Sequence, residues 1–118
     1  MKLMEKITVN NELVQNVTME LRRGIIVLAV LSQLESEQYG YSLLKLLADQ
    51  GLKLDQGTLY PLLRRLESQG LLRSVWKLEE ARPRRYYVIS PEGRMILPQL
   101  EEEWAGFVAM MQQMLGNK

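Results

Sequence analysis

This 118-residue sequence contains no histidine and no cysteine, and its charged side chains are carboxylates, lysines and arginines. Imidazole or thiolate catalysis, disulfides and zinc sites with nitrogen or sulfur ligands are thereby excluded. The carboxylates fall in three groups, Glu35 with Glu37, Glu79 with Glu80, and Glu101 to Glu103. They lie in turns or on a charged helix face without a partner set for acid-base work. The segment "GTLYPLLRR" lacks the lysine and glycine spacing of a nucleotide loop. An enzyme, a metal site and a cofactor are therefore not expected. The basic residues are more informative. Residues 56–94 carry eight basic and four acidic side chains, against six and seven in 1–55 and one and three in 95–118. A band of +4 inside a chain of net charge +1 is suited to phosphate.

The elements that must position this band follow from apolar spacing. Leu13 to Leu34 reads as one helix or two helical pieces, with the part after Gly24 apolar almost all round and so deeply buried. "ESEQYGY" reads as a turn, and a short second helix follows that ends at Gly51. In "DQGTLYPLLRRLESQGLL", Leu59, Leu62, Leu63 and Leu66 fall at i, i+3, i+4 and i+7, the core side of a third helix closed by Gly70. Thr58 is expected as its N-cap, which would place Pro61 in the first turn, where a missing N–H costs nothing. Gln56, Gly57, Thr58, Tyr60, Pro61, Arg64 and Arg65 are left on its outer faces or N-terminal end, as candidates for DNA contact. The period then changes to two: "LLRSVWKLE" and "RRYYVIS" read as strands joined by a polar tip, "EEARP", with Arg82, Arg84 and Arg85 around it. Ser90, Pro91 and Glu92 form a strong helix start. In the last helix Leu97, Leu100, Trp104, Phe107, Met111 and Met114 are spaced 3, 4, 3, 4 and 3, a heptad seam for a partner helix. Pro98 predicts a kink or broken turn within it.

Two helices, a third with basic outer side chains, and a hairpin with arginines near its tip make a winged helix-turn-helix, whose third helix would enter the major groove. A helix N-terminus with free N–H groups would receive a phosphate, and Gly57 would let backbone approach closely. The fold expected is mainly α with a small β-hairpin. Residues 1–90 would form the winged helix-turn-helix with an N-terminal helical extension, and 91–118 a C-terminal dimerisation helix.

"YGYSLLKLL", "GTLYPLLRRLESQGLL" and "RRYYVISPEGR", in this order, resemble the PadR family of bacterial transcriptional regulators from about Leu21 to Leu100. The resemblance implies a homodimeric repressor on a pseudo-palindromic double-stranded DNA operator. By position Gly57, Thr58, Tyr60 and Arg64 match the recognition-helix motif, and Arg84, Arg85 and Tyr86 the wing, whose tip "EEARP" differs from the glycine-rich turn of many members. The single helix after the wing is similar to that of a short subfamily. Some of its members are multidrug-responsive, with a tryptophan of the last helix lining a flat apolar pore at the dimer centre. Trp104, Phe107 and Met111 are the corresponding candidates for a small aromatic or drug-like effector, and packing of the dimer seam accounts for them as well. Glu101 or Glu103 would favour cationic ligands if it faced such a pore, or would lie on a solvated face. A dimeric winged-helix adaptor that binds protein is the alternative from another class. The longest apolar run, Ile25 to Leu31, is too short to span a membrane, the first residues carry no secretion signal, and the expected location is the cytoplasm.

Overall fold

The computed structural model describes residues 10–116. Helix α1 (Asn11–Ser32) starts at Asn10, whose side-chain oxygen accepts the amides of Glu12 and Leu13 at 2.9 and 3.2 Å. It is one helix, and Gly24 does not divide it. Strand β1 (Gln38–Tyr39) precedes α2 (Gly40–Asp49) and α3 (Gln56–Ser68), then β2 (Leu72–Glu79), β3 (Arg82–Ile89) and α4 (Pro91–Met114). The three strands form an antiparallel sheet in the order β1-β3-β2. A mainly helical winged helix-turn-helix with a small sheet is therefore observed, and the sheet has one strand more than the expected hairpin. β1 is a two-residue pairing, Gln38 with Tyr87 and Tyr39 with Tyr86. It lies in the segment whose polarity reads as a turn, and is too short to show a period of two.

The core is a mainly aliphatic cluster contributed by every helix, with Leu72, Tyr87 and Ile89 from β2 and β3. Leu59, Leu62, Leu63 and Leu66 of α3 are all buried, as their spacing predicts. Both short helices end in the same way. Gly51 and Gly70 adopt φ of +101° and +84°, while the next residues, Leu52 and Leu71, donate their amides back to Leu47 and Leu66 at 2.9 Å. The glycine amides bond back as well, Gly51 to Ala48 at 3.0 Å and Gly70 to Glu67 at 2.9 Å, and this pair of hydrogen bonds requires the left-handed conformation that glycine adopts freely. Ser90 is buried and fully engaged: its hydroxyl donates to the Gly70 carbonyl at 2.6 Å and accepts the Gly93 amide at 3.0 Å. It caps α4, as expected, and also ties that helix to the end of α3.

Four local expectations change. The cap of α3 is Asp55, whose carboxylate accepts the Thr58 amide at 2.8 Å. The helix starts two residues before Thr58, so Pro61 stands at its sixth position and leaves the Gly57 carbonyl without the usual i+4 donor. The tip of the wing is a two-residue turn, Glu80 and Ala81, both with positive φ (51° and 63°), and Glu79 pairs directly with Arg82. That is the twist a short hairpin needs, reached here without glycine or asparagine. α4 runs through Pro98 as one helix rather than breaking there. Finally, α1 is less buried than its composition implies. After Gly24 only Ile26, Val30 and Leu31 are buried, and Leu13, Val17, Leu21 and Ile25 are exposed. On α4, Leu97 belongs to the chain's own core and Leu100 packs against it, whereas Trp104, Phe107, Met111 and Met114 face outward. The seam thus divides into an inner part within the chain and an outer part left open. The shape agrees: the radius of gyration is 18.0 Å, against about 13.5 Å for a compact chain of this length.

The capping arrangement yields a direct test. Asp55→Ala is expected to cost about 1 kcal/mol of stability in urea unfolding, within the 0.5–2 kcal/mol range of N-caps, and Thr58→Ala clearly less. A larger loss for Thr58→Ala would move the cap back to Thr58.

Candidate nucleic-acid interface

With four leucines turned inward, α3 presents Gly57, Pro61, Arg64, Arg65 and Ser68 as one exposed stripe. At its N-terminal end the exposed Gln56 and Gly57 follow the Asp55 cap. A methyl group on Gly57 would make only an ordinary contact, 3.6 Å from the Asp55 carboxylate, so nothing within the chain demands glycine there. Gly40 is different. A Cβ at Gly40 would overlap the ring and hydroxyl of Tyr60. Tyr60 is consequently half-buried across the first residue of α2, holding α2 and α3 at a close spacing. It is less free to project than its place in the sequence suggests, and the tyrosine-glycine turn at Tyr39 and Gly40 has a physical reason.

The wing is fastened to α3 by a closed polar triad. The Arg85 guanidinium donates to Glu67 at 2.7 Å and to the Ser74 hydroxyl at 3.1 Å, and Ser74 donates to the other Glu67 oxygen at 2.5 Å. Arg85 also lies against the rings of Trp76 and Tyr87, 5.9 and 5.4 Å from their centroids. Burial pushes the Tyr87 phenol above its ordinary pKa. Arg84 points elsewhere, as alternation along a strand requires. Its guanidinium stacks 4.6 Å from the Tyr39 ring centroid and reaches Glu79 at 3.5 Å. Tyr86 donates its hydroxyl to Glu79 and meets Tyr39 edge to face at 5.4 Å. The bond to Glu79 raises the Tyr86 pKa. Lys77 bonds Glu37, which raises its pKa, and sits 4.8 Å over the Tyr86 ring.

Of the predicted wing residues, Arg84 and Arg85 line one hollow with Tyr60 and Arg64, Tyr86 does not, and all three are already engaged. Arg84 and Arg85 each have a carboxylate partner. Among the described residues, Arg64, Arg65, Arg73 and Arg82 enter none of the four ion pairs. Between wing and helices lies a hollow of about 300 Å³ lined by Tyr39, Tyr41, Tyr60, Arg64, Trp76 and Arg84, among others. Glu67, Ser74, Glu79 and Gly40 are site residues that reading the sequence did not find. A two-residue turn would have revealed Ser74, because its register pairs Trp76 with Arg85 and Ser74 with Tyr87, setting Ser74 and Arg85 diagonally on one face.

The sequence profile of the transcriptional regulator PadR-like family matches residues 27–107. The chain belongs to this family. A PadR family transcriptional regulator from Eggerthella lenta DSM 2243 has a crystal structure that superposes with a TM-score of 0.82 at 44% identity, over 92% of this chain and 96% of that one. A transcriptional regulator from Clostridium thermocellum matches with a TM-score of 0.72 at 33% identity, over 80% and 96%. The transcriptional regulator Rv3488 of Mycobacterium tuberculosis is 38% identical over 79 residues, 66% of this chain and 74% of its own length. This chain is therefore a PadR-like transcriptional regulator and not an enzyme.

A second hollow in this PadR-like chain, about 510 Å³, lies between α1 and α4. Leu21, Ile25 and Leu28 face Leu100, Trp104 and Phe107 across it, with Glu103 as its carboxylate. Of the effector candidates, Trp104 and Phe107 line this hollow and Met111 does not; Glu101 is also outside it.

The contact between Gly40 and Tyr60 can be measured by a double-mutant cycle. Gly40→Ala is expected to destabilise the protein by about 1–3 kcal/mol through overpacking, and to cost much less when Tyr60 is already alanine. Additive losses would show that the two residues do not touch.

Proposed function

We propose that this chain is a homodimeric repressor that binds a pseudo-palindromic DNA operator and is released by a small aromatic or otherwise hydrophobic effector. The observation that carries the reading is the outer stripe of α3, where Arg64 and Arg65 lie exposed beside Gly57 and Pro61 and enter no ion pair among the described residues, next to a hairpin tied to α3 by the Glu67–Arg85 pair. An α-helix fits the major groove of duplex DNA, where base edges are read. Gln56, Gly57, Thr58, Tyr60, Pro61 and Arg64 are the recognition residues in this account. Gly57 leaves bare backbone where a phosphate or base edge can come close. Tyr60 acts through its spacing of α2 and α3 and through the edge that remains exposed. Arg84, Arg85 and Tyr86 belong to the wing, where a DNA phosphate would have to compete with Glu79 and Glu67 for the guanidinium groups.

The division of labour falls near residue 90, with the winged helix before it and the dimerisation helix after it; residues 1–9 and 117–118 lie outside the described structure. Dimerisation is supported by the open apolar faces of α1 and α4. Trp104 is 44% and Phe107 52% exposed, with Met111, Met114, Val17 and Leu21 around them. Contiguous apolar surface of this kind marks an interaction site, and a two-fold axis would bring the same face of both copies together. The hollow beside Trp104, apolar with the single carboxylate Glu103, suits a flat effector, cationic ones included. An effector that favours one separation of the two recognition helices shifts the dimer between binding and released forms. Among the described residues no helix is long and apolar enough to cross a membrane, and the site of action proposed is the cytoplasm.

Gel shifts on the DNA upstream of the protein's own gene, at two salt concentrations and against random duplex, test the reading. Operator-selective binding that weakens steeply with salt is expected, together with release by a planar aromatic compound that is lost in Trp104→Ala while the dimer persists. Absence of selective binding at either salt would reject the repressor and turn the search to protein partners.

A further inference from the structure

α3 has two edges, and the wing accounts for one. Tyr60 and Glu67 mark the edge that faces the wing hollow and the Arg85 triad. Thr58, two residues before Tyr60, is turned about 200° away from it on the helix. On that opposite edge lies a third hollow, about 230 Å³, lined by Arg22 and Arg23 of α1, Lys53 and Asp55 of the α2–α3 loop, and Thr58. Arg22, half-buried, donates to the Lys53 carbonyl at 2.8 Å and so pins the loop against α1. Arg23 and Lys53 are exposed. None of the three cations belongs to an ion pair among the described residues. The hollow's carboxylate, Asp55, is turned to the Thr58 amide as the cap of α3.

We propose that Arg23 and Lys53, positioned by Arg22, bind the phosphate backbone of duplex DNA along the edge of the recognition helix opposite the wing. A helix in the major groove lies between two phosphate ridges, one for each strand. The wing reaches one of them with arginines already matched to Glu67 and Glu79. The Arg22, Arg23 and Lys53 hollow offers the other ridge three positive charges that enter no ion pair among the described residues, and its one carboxylate, Asp55, accepts the Thr58 amide. Phosphate contacts fix register and orientation without reading sequence. This edge therefore sets how α3 is seated in the groove and supplies much of the salt dependence. The inference rests on DNA binding by α3 and extends the interface to α1, a helix otherwise given over to the core and the apolar face.

The test compares Arg23→Ala/Lys53→Ala with wild type and with Arg94→Ala, an exposed arginine paired with Glu35, by fluorescence anisotropy on operator and random duplex over a range of salt. Both substitutions are at exposed positions, and an unchanged melting temperature and dimer mass would confirm that the fold is kept. Binding is expected to weaken on the order of tenfold on both duplexes, and the salt slope to become shallower by about 0.9 for each phosphate that a protomer no longer neutralises. Arg94→Ala should leave the slope unchanged, and Arg23→Lys/Lys53→Arg should restore it. A wild-type slope in the double alanine variant, with operator binding otherwise intact, would overturn the proposal and leave the repressor reading standing. Failure of the wild type to bind any duplex would overturn both.

Discussion

Burial of Leu59, Leu62, Leu63 and Leu66 decides which side of α3 faces outward, and the rest of the interface depends on that orientation. Each buried leucine contributes about 1.5–3 kcal/mol relative to an exposed one. Rotating α3 by one residue would put Tyr60, Arg64 and Glu67 in the core in place of three leucines, a cost no surface interaction could offset. The outer stripe is thus a consequence of the inner one. Asp55 at the start and Gly70 at the end then set where the helix begins and stops, and therefore which backbone amides are free at its tip.

On that fixed helix the polar contacts add orientation more than stability. The triad of Glu67, Ser74 and Arg85 joins α3 to the wing through two hydrogen bonds to Glu67, with a third between Arg85 and Ser74 inside the wing, all among half-buried side chains. An ion pair of this exposure contributes little to folding. Its geometric effect is larger, because the guanidinium is planar and its donors have fixed directions. The wing is held at one angle to α3 before any partner arrives, so less ordering remains to be done on binding. The same Glu–Arg pairing lowers the positive potential of the wing, which leaves Arg64, Arg65, Arg73, Arg82 and the cations Arg22, Arg23 and Lys53 among the charges available to an anionic partner.

Much of this was legible in the sequence, and the exceptions share a cause. Leucine spacing gave α3 its inner face, and the change of period after Gly70 marked the wing, because both are repeated local signals. Ser90 read correctly as a cap because proline and glutamate follow it. Asp55 and Thr58 are both good cap residues three positions apart, and propensity alone does not separate them. Glu80 and Ala81 are not residues that announce left-handed backbone, so the tight tip was unreadable and with it the register that pairs Trp76 with Arg85. The contacts of Glu67 with Arg85 and of Gly40 with Tyr60 join residues about 20 positions apart, and no periodicity encodes them. The heptad of α4 was real as a pattern, yet Leu97 serves the chain's own core while Trp104 and the residues after it stay open. Spacing identifies a stripe without saying which partner covers each part of it.

The central claim, that the outer stripe of α3 is the surface that meets DNA, is tested most directly by nuclear magnetic resonance of the isotope-labelled protein titrated with an operator duplex. The account predicts that the largest amide shifts fall at Gln56 to Tyr60, Arg64 and Arg65, with smaller ones in the wing. Shifts confined to the apolar faces of α1 and α4, with α3 unmoved, would contradict it.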